Sequence, residues 1–248
     1  MEIYRKFARA MRPAREYAAA FFRWSLLGAV VGLAGGAVGA AFSKAVECAT
    51  ALRGENGWLL YLLPLGGLLI VGLYRLCRVS GIGTNEVFES VRAEKGVSIL
   101  LAPAIFLGTV VTHLLGGSAG REGAALQLGG SMATLFGRLF RLSERDRHIL
   151  TMCGMGAVFA AVFGTPMAAC VFAVEVVSVG RFCTAALLPC VVSSASAFGV
   201  AQALGIKPER FSVGAVPAFS LEAVWKMLVV AAAGALVSIL FCLSLIHI

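Results

Sequence analysis

The fold of this chain depends on residues 116–137, which read GGSAGREGAALQLGGSMATLFG. Arg121 and Glu122 lie between glycines, and the apolar run Ala124–Gly137 follows directly and ends beside a cluster of arginines. A membrane-spanning helix needs about 20 apolar residues, so this run is short for a full crossing. The pattern predicts a helix that begins inside a membrane, where its first turn must be buried in protein or line a watery cavity.

The composition of the whole chain supports a membrane location. Of 248 residues, 59% are hydrophobic and 14% are charged, and the mean hydropathy is +0.89. A soluble domain of this composition has too little polar surface to face water. The 29 glycines agree with this assignment, because glycine is more frequent in transmembrane helices than in soluble ones.

The net charge of +8 is concentrated in two clusters of basic residues. Both clusters flank apolar runs, so the preference of basic residues for the cytoplasmic ends of membrane helices explains them better than nucleic-acid binding, which needs a polar domain. We therefore expect a multi-pass protein of the cell membrane with a cytoplasmic N-terminus and no nucleic-acid partner. The clusters are Arg5, Lys6, Arg9, Arg12, Arg15 and Arg23, and Arg138, Arg141, Arg145 and Arg147.

The apolar runs predict the domain organisation. Residues 1–23 are expected to form a basic cytoplasmic segment, as an amphipathic helix on the membrane surface, and residues 24–248 a transmembrane domain. Glycines and Pro166 divide the stretch 149–174, which predicts two half-helices rather than one span. The predicted full spans are Ser25–Phe42, Trp58–Tyr74, Val97–Leu115, Phe182–Ile206 and a run from Val224, with a polar loop over Lys44–Gly57.

The last apolar run has no polar tail after it. Transporters with broken helices are often built from two inverted repeats, and one such unit can be traced here. We expect the chain to hold a first repeat and the start of a second, cut short by a truncated reading frame. An alternative hypothesis is that such a truncated membrane fragment transports nothing on its own.

The start of the short helix has the chemistry of an anion site. A helix that begins at depth directs unpaired backbone N–H groups and the positive end of its dipole into a cavity. Gly123, Ala124 and Ala125 offer such groups with little side-chain bulk. The carboxylate of Glu122 can occupy the same place and, once protonated, would leave it to a transported ion. The alternative is that Glu122 is an ordinary surface charge at a helix start.

Three blocks of this sequence resemble the CLC family of chloride channels and proton-coupled anion transporters. Gly120–Ala124 resembles the family's GREGP motif, and the stretch from Gly164 to Glu175 resembles GxPxxGxxFxxE. Gly81–Val87 falls where the family has GSGIPE. The resemblance extends over about residues 24–240, the first of the family's two inverted repeats and the entry to the second. It implies an all-α polytopic fold whose broken helices meet near mid-membrane.

The resemblance also implies a function. A small halide, chloride or fluoride, would cross through a voltage-gated channel or a proton/halide antiporter, with no cofactor, no metal and no enzymatic activity. Glu122 would match the gating glutamate, and Glu175 would lie on a possible proton pathway. The full-length protein would form a homodimer in the bilayer and would have halide and protons as its partners. The anion-binding residues would be Gly81, Ile82, Gly83, Gly120, Arg121, Gly123 and Ala124.

The sequence departs from the family pattern at three positions. Ile82 replaces the serine whose hydroxyl donates to chloride, and Ala124 replaces the proline of GREGP. Both changes resemble the fluoride-exporting branch of the family. An alignment that keeps Ser80 as that serine loses the matches at the end of the block. Val176 takes the place of the internal proton glutamate, with Glu175 beside it.

One stretch of the sequence also matches the motif of a different class of protein. Residues 116–120 satisfy GxSxG, the nucleophile elbow of hydrolases, with Ser118 as nucleophile and His113 or His148 as base. That elbow needs a preceding strand and a soluble sheet, whereas a membrane span precedes it here. An intramembrane serine protease is therefore disfavoured. The seven cysteines show neither a CxxC pair nor a metal-binding spacing.

Overall fold

The computed structural model describes residues 2–79, 88–89, 97–177, 182–207 and 219–246, with side chains from Arg15 to Leu245. Within these ranges every regular element is a helix, which confirms the all-α prediction. A short 3-10 helix at Gly57–Leu62 precedes the second α-helix. The α-helices are α1 (Glu2–Glu55), α2 (Leu63–Leu76), α3 (Leu101–Leu114), α4 (Glu122–Leu139), α5 (Glu144–Phe163), α6 (Pro166–Glu175), α7 (Thr184–Ala203) and α8 (Leu221–Ile246).

Helix α1 is longer than the sequence pattern predicts. It continues without a break from the basic N-terminal segment through the first span and ends at Glu55. The prediction of a polar loop over Lys44–Gly57 is therefore wrong. The charged residues of this stretch are interspersed with alanines, which have the highest helix propensity. The helix ends at Glu55, between Gly54 and Asn56, which have lower helix propensities. The assignment of residues 1–23 as a separate cytoplasmic segment stays a prediction.

The glycines of α1 let two other helices approach it closely. A Cβ added at Gly28 or Gly36 would lie 2.7 Å from a backbone oxygen of α7, that of Pro189 or Ala197. A Cβ at Gly39 would lie 2.6 Å from Ala161 Cβ of α5. The glycine stripe thus has two faces, one against α7 and one against α5. Gly28, Gly32 and Gly36 have the small-xxx-small spacing that predicts close helix packing, and this close approach confirms that prediction.

Helix α5 lies at the centre of the core. Its residues Leu150, Met152 and Met155 are fully buried. It meets α4 at a crossing where Gly129 of α4 faces Gly154, and a Cβ on Gly129 would lie 2.8 Å from the Met155 Cα. Small residues at this crossing allow the two backbones to touch.

The break predicted within 149–174 is present, but α5 has 20 residues and begins at Glu144, so only α6, with 10 residues, is a half-length helix. Gly164 ends α5 in the left-handed region at φ 72°, and its N–H donates to the Ala160 carbonyl at 2.8 Å. Pro166 then opens α6 in its first turn, where its missing N–H costs no hydrogen bond. The α5–α6 break therefore comes from glycine and proline as the sequence indicated.

Two of the predicted lengths need correction. Helix α3 has 14 residues, so it is shorter than the span predicted over Val97–Leu115. Helix α4 has 18 residues and extends at both ends beyond the run Ala124–Gly137. At 1.5 Å per residue α4 is about 27 Å long, so it is not a half-length helix. The helix includes charged residues near both of its ends, Glu122 and Arg138. A prediction based on runs of apolar residues leaves them out.

Four helices in the described ranges are long and apolar enough to cross a membrane. They are Arg15–Glu55, Gly57–Leu76, Thr184–Ala203 and Leu221–Leu245. The chain divides into two units, residues 1–209 and 210–248. The second unit contains α8, whose apolar side chains are exposed along its length. The predicted spans over Phe182–Ile206 and from Val224 are thus confirmed as helices α7 and α8.

Candidate functional site

The approach to α4 is a tight turn of glycines. Gly116 takes a left-handed φ of 80°, and the Gly117 N–H donates to the Thr112 carbonyl at 2.8 Å, which closes the end of α3. Residues 117–120 then run without regular structure to α4, whose first residue is Glu122. Because a side chain at Gly116 would be strained at this φ, glycine is needed there.

The first turn of α4 leaves backbone donors open. The Ala125 N–H donates to the Arg121 carbonyl at 2.9 Å, and this is the first helical hydrogen bond. The N–H groups of Gly123 and Ala124 precede it and have no acceptor in the described part of the chain. No side chain caps this end of the helix. Such donors, at the positive end of a helix dipole, favour an anion.

These donors belong to two residues, Gly123 and Ala124, that line a cavity of about 260 Å³ between α2, α3 and α4. The cavity is large enough for a small ion with several waters, since a water occupies about 30 Å³ in the liquid. Three of the predicted anion-binding residues line it: Gly120, Gly123 and Ala124. Its other walls are Ile70, Tyr74, Ile105, Gly108, Thr109, Thr112, Ala119 and Gln127.

The carboxylate of Glu122 folds back over the loop before the helix. A Cβ added at Gly120 would lie 2.5 Å from Glu122 Oε2 and 3.7 Å from its Cδ. The carboxylate therefore occupies the space that a side chain at position 120 would take. Glu122 itself is exposed in this chain, so its carboxylate lies over the loop and is free to move away from it.

Arg121 lies on a different cavity from the amides of the same motif. This second cavity has a volume of about 800 Å³. Arg121 and Glu122, the two charged residues of the motif, therefore do not line the smaller cavity with Gly120 and Gly123. The polar side chains that line the larger cavity are Ser43, Glu47, Thr50, His113, Arg121 and Lys207.

Three buried polar side chains of the smaller cavity were not identified from the sequence. Tyr74, Thr109 and Gln127 are buried, with 5%, 6% and 5% of their surface exposed. Gln127 lies four residues after Gly123, on the same face of α4, so helical spacing could have revealed it. Tyr74 ends the predicted span Trp58–Tyr74, where an aromatic residue is expected at the membrane interface, and nothing in the sequence separates that role from a place on this cavity.

The remaining predicted site residues lie elsewhere. Gly81, Ile82 and Gly83 fall outside the described residues. Glu175 is the last residue of α6, is exposed, and is not among the residues that line the two cavities. In the part of the chain that the structure describes, no group of three or more His, Cys, Asp or Glu side chains could hold a metal ion.

The geometry does not fit a serine protease. A helix, α3, precedes the GxSxG stretch where the hydrolase elbow requires a strand. Nδ1 of His113 is within 2.8 Å of the Thr109 carbonyl, so this nitrogen donates within its own helix. Ser118 is exposed, and no hydrogen bond joins it to either predicted base in the described residues.

The fold agrees with the comparison to known families. The sequence profile described as "Voltage gated chloride channel" matches residues 66–248, which is more than half of the chain. The chain belongs to this CLC family. It is therefore a multi-pass membrane protein, and its GREG stretch and broken helices match the family pattern.

Several CLC proteins are similar to this chain. It is 37% identical over 214 residues to a chloride/fluoride channel protein of Pseudomonas syringae pv. tomato, covering 86% of this chain and 47% of that protein. It is 31% identical over 167 residues to the H(+)/Cl(-) exchange transporter ClcA of Vibrio campbellii, covering 60% and 35%. The chain thus spans about half or less of the length of these relatives.

A solved CLC structure has the same arrangement of helices. The crystal structure of a CLC-type fluoride/proton antiporter matches with a TM-score of 0.78 and 34% identity, over 86% of this chain and 54% of that one. A slow cyanobacterial Cl-/H+ antiporter matches with a TM-score of 0.69 at 22% identity, which supports the fold alone. These matches confirm the CLC-like fold predicted from the three sequence blocks.

Proposed function

We propose that this CLC chain forms part of a transmembrane path for a small halide, gated by Glu122. The observation that carries the proposal is at the start of α4. Two open N–H groups, of Gly123 and Ala124, adjoin a cavity of about 260 Å³, and the carboxylate of Glu122 folds over the loop beside them.

The gate works by competition between two anions. A dehydrated halide and the Glu122 carboxylate both gain from N–H donors at the positive end of the α4 dipole. The deprotonated carboxylate competes with the halide for that place from its position over the loop at Gly120, and when it takes a proton its attraction to the donors falls. The halide then enters the cavity with Tyr74, Thr109 and Gln127 as further polar neighbours.

Fluoride is the ion that the observations favour. The relative with 37% identity is named a chloride/fluoride channel, and the structural neighbour with 34% identity is a fluoride/proton antiporter. The relatives named as chloride exchangers have identities of 31–33% over 60% of the chain. The serine and proline of the chloride-type motifs are replaced here by Ile82 and Ala124.

The rest of the path belongs to the same proposal. Gly81, Ile82 and Gly83 would coordinate the ion from a second loop, and Arg121 would attract it from the larger cavity. Glu175 would take part in proton transfer if flux is coupled to protons. The full-length protein would act as a homodimer in the cell membrane, with the N-terminus in the cytoplasm.

Removal of the Glu122 charge tests the gate. We expect Glu122→Gln to mimic the protonated carboxyl, so that halide efflux from liposomes no longer changes with pH. Efflux of fluoride and of chloride would be compared, with a pH indicator inside the liposomes to report proton movement. The matched control is Glu144→Gln, because Glu144 is also an exposed first residue of a helix. Halide flux and pH dependence equal to those of the unaltered protein would remove Glu122 from the mechanism.

A second variant displaces the carboxylate and keeps its charge. A methyl group from Gly120→Ala would lie 2.5 Å from Glu122 Oε2, so the flexible carboxylate must move away. We expect faster halide efflux with no loss of thermal stability. Gly54→Ala is the control, because no atom lies within 4 Å of the added methyl. Unchanged efflux in Gly120→Ala would argue against the folded-back carboxylate as the closed gate.

A further inference from the structure

Four helices of this chain end in the same type of turn, with different residues at its left-handed position. In each, two N–H groups after the helix donate back to carbonyls of the last turn. Helices α3 and α7 use Gly116 and Gly205 at φ 80° and 82°, as expected. Helices α2 and α4 use Arg78 and Arg141, both at φ 52°. An L side chain in this conformation costs free energy that glycine does not, so an arginine there calls for a reason.

The arginine turn after α4 carries an excess of positive charge. Arg138, Arg141 and Arg145 are exposed and form no ion pair in the described residues. Of the two acids in this turn, Asp146 already accepts from Arg23 of α1 at 2.7 Å. Only Glu144 remains to offset the three arginines.

A fourth arginine in the same turn is fixed by packing. The Arg147 stem lies against α4, because a Cβ added at Gly137 would be 3.0 Å from its Cγ. The Nε of Arg147 is buried and has no hydrogen-bond partner. The packed stem thus fixes Arg147 in the turn, while the donors available to a ligand from outside are those of the exposed Arg138, Arg141 and Arg145.

The turn also has aromatic neighbours. Phe140 is 41% exposed and stacks on Phe136, with ring centroids 5.9 Å apart. The Arg23 guanidinium lies 5.7 Å from the ring of Trp24. Aromatic rings beside basic groups at the ends of membrane helices are typical of the membrane–water interface.

We infer that this turn, residues 138–147 together with Arg23, binds the phosphate of an anionic phospholipid. The ends of α4 and α5 and the aromatic rings place the arginines at headgroup level, where the available anions are lipid phosphates. Arginine binds phosphate through paired N–H donors, and this fits a turn with arginines and no lysine. Nucleic acid or an acidic protein would need a polar surface away from the bilayer, which the exposed Phe140 does not provide.

The inference can be tested by lipid binding to the full chain in detergent micelles. Native mass spectrometry would give dissociation constants for short-chain phosphatidylglycerol and phosphatidylcholine. The unaltered protein should prefer phosphatidylglycerol. Arg138→Gln/Arg141→Gln should weaken phosphatidylglycerol binding about thirtyfold, since each interfacial arginine contributes about 1 kcal/mol.

The chain offers a matched control for these two arginines. Arg75 and Arg78 have the same spacing, the same position at a helix end and the same φ of 52° at the second residue. Arg75→Gln/Arg78→Gln should change phosphatidylglycerol binding by less than about threefold. An equal loss in both double variants would show that general charge, and not this turn, attracts the lipid, and would overturn the inference.

Two further measurements separate lipid binding from a folding role. Arg141→Gly relieves the left-handed strain, so it should fold at least as well and still weaken phosphatidylglycerol binding about fivefold, whereas Arg78→Gly should leave it unchanged. Glycerol 3-phosphate has the same phosphate without acyl chains and should bind at least tenfold more weakly. Equal binding of glycerol 3-phosphate, or full lipid binding by Arg141→Gly, would contradict a lipid site at this turn.

Discussion

The substitution Gly129→Ala tests whether the α4–α5 crossing determines the stability of the first unit. Its methyl group would lie 2.6 Å from the carbonyl carbon of Gly154 and 2.8 Å from the Met155 Cα, and would also contact the Gly154 oxygen. Ordinary contacts begin near 3.4 Å, so the helices must separate by about 1 Å. The obstructing atoms are backbone, so no side-chain rotation relieves them. We expect a net loss of about 2 kcal/mol, after the gain of about 1 kcal/mol from alanine's helix propensity.

The free energy of unfolding can be measured in mixed SDS and dodecyl maltoside micelles, with helicity followed by circular dichroism. Gly72→Ala in α2 is the matched control, because its methyl would meet no atom within 4 Å. That variant should gain up to about 1 kcal/mol from helix propensity alone. If Gly129→Ala is as stable as Gly72→Ala, the close crossing inferred from the structure is refuted.

Four other substitutions have expected effects on the same free energy of unfolding. Ser143→Ala removes the N-cap of α5, whose Oγ accepts from the Asp146 N–H at 3.2 Å, and should cost about 1 kcal/mol. Arg141→Gly and Arg78→Gly should each gain about 1 kcal/mol in neutral micelles, because both sites have φ 52°; a loss at both would contradict the strain argument. Arg23→Gln breaks an exposed ion pair and should cost under about 1 kcal/mol at low salt and less at high salt.

Much of this fold could be predicted from local sequence, because local chemistry determines the features concerned. Gly164 and Pro166 break the stretch 149–174 through backbone restrictions that act wherever the residues occur. The glycine spacing in α1 predicts close helix packing for the same reason. The sequence did not indicate that Gly28 and Gly39 meet different helices, because the partner of each face depends on tertiary structure.

The errors have a common physical origin. Apolar runs measure where side chains prefer lipid, whereas a helix ends where its backbone hydrogen bonds end. Lys44 and Glu47 lie within α1, and Glu122 and Arg138 lie within α4, so run lengths underestimated both helices. Gly123 and Ala124 could be proposed from the sequence because an anion needs open amides, whereas Gly120 followed only from the resemblance to the family motif. Tyr74 comes from another helix, so no spacing in the sequence could bring it to that cavity.

Helix α4, at its corrected length, connects the Glu122 site, the crossing at Gly129 and the arginine turn. Glu122 begins this helix, and Gly129 follows about 10 Å further along the axis, at 1.5 Å per residue. Arg138 lies in its last turn. A rigid helix held at its crossing with α5 and at its arginine end fixes the depth of its first turn. The Glu122 carboxylate and the open amides belong to that turn. The crossing with α5 and the arginine end could therefore each change the proposed gate without contacting it. On this reasoning Gly129→Ala should alter halide flux as well as stability, while Gly72→Ala should alter neither flux nor its pH dependence.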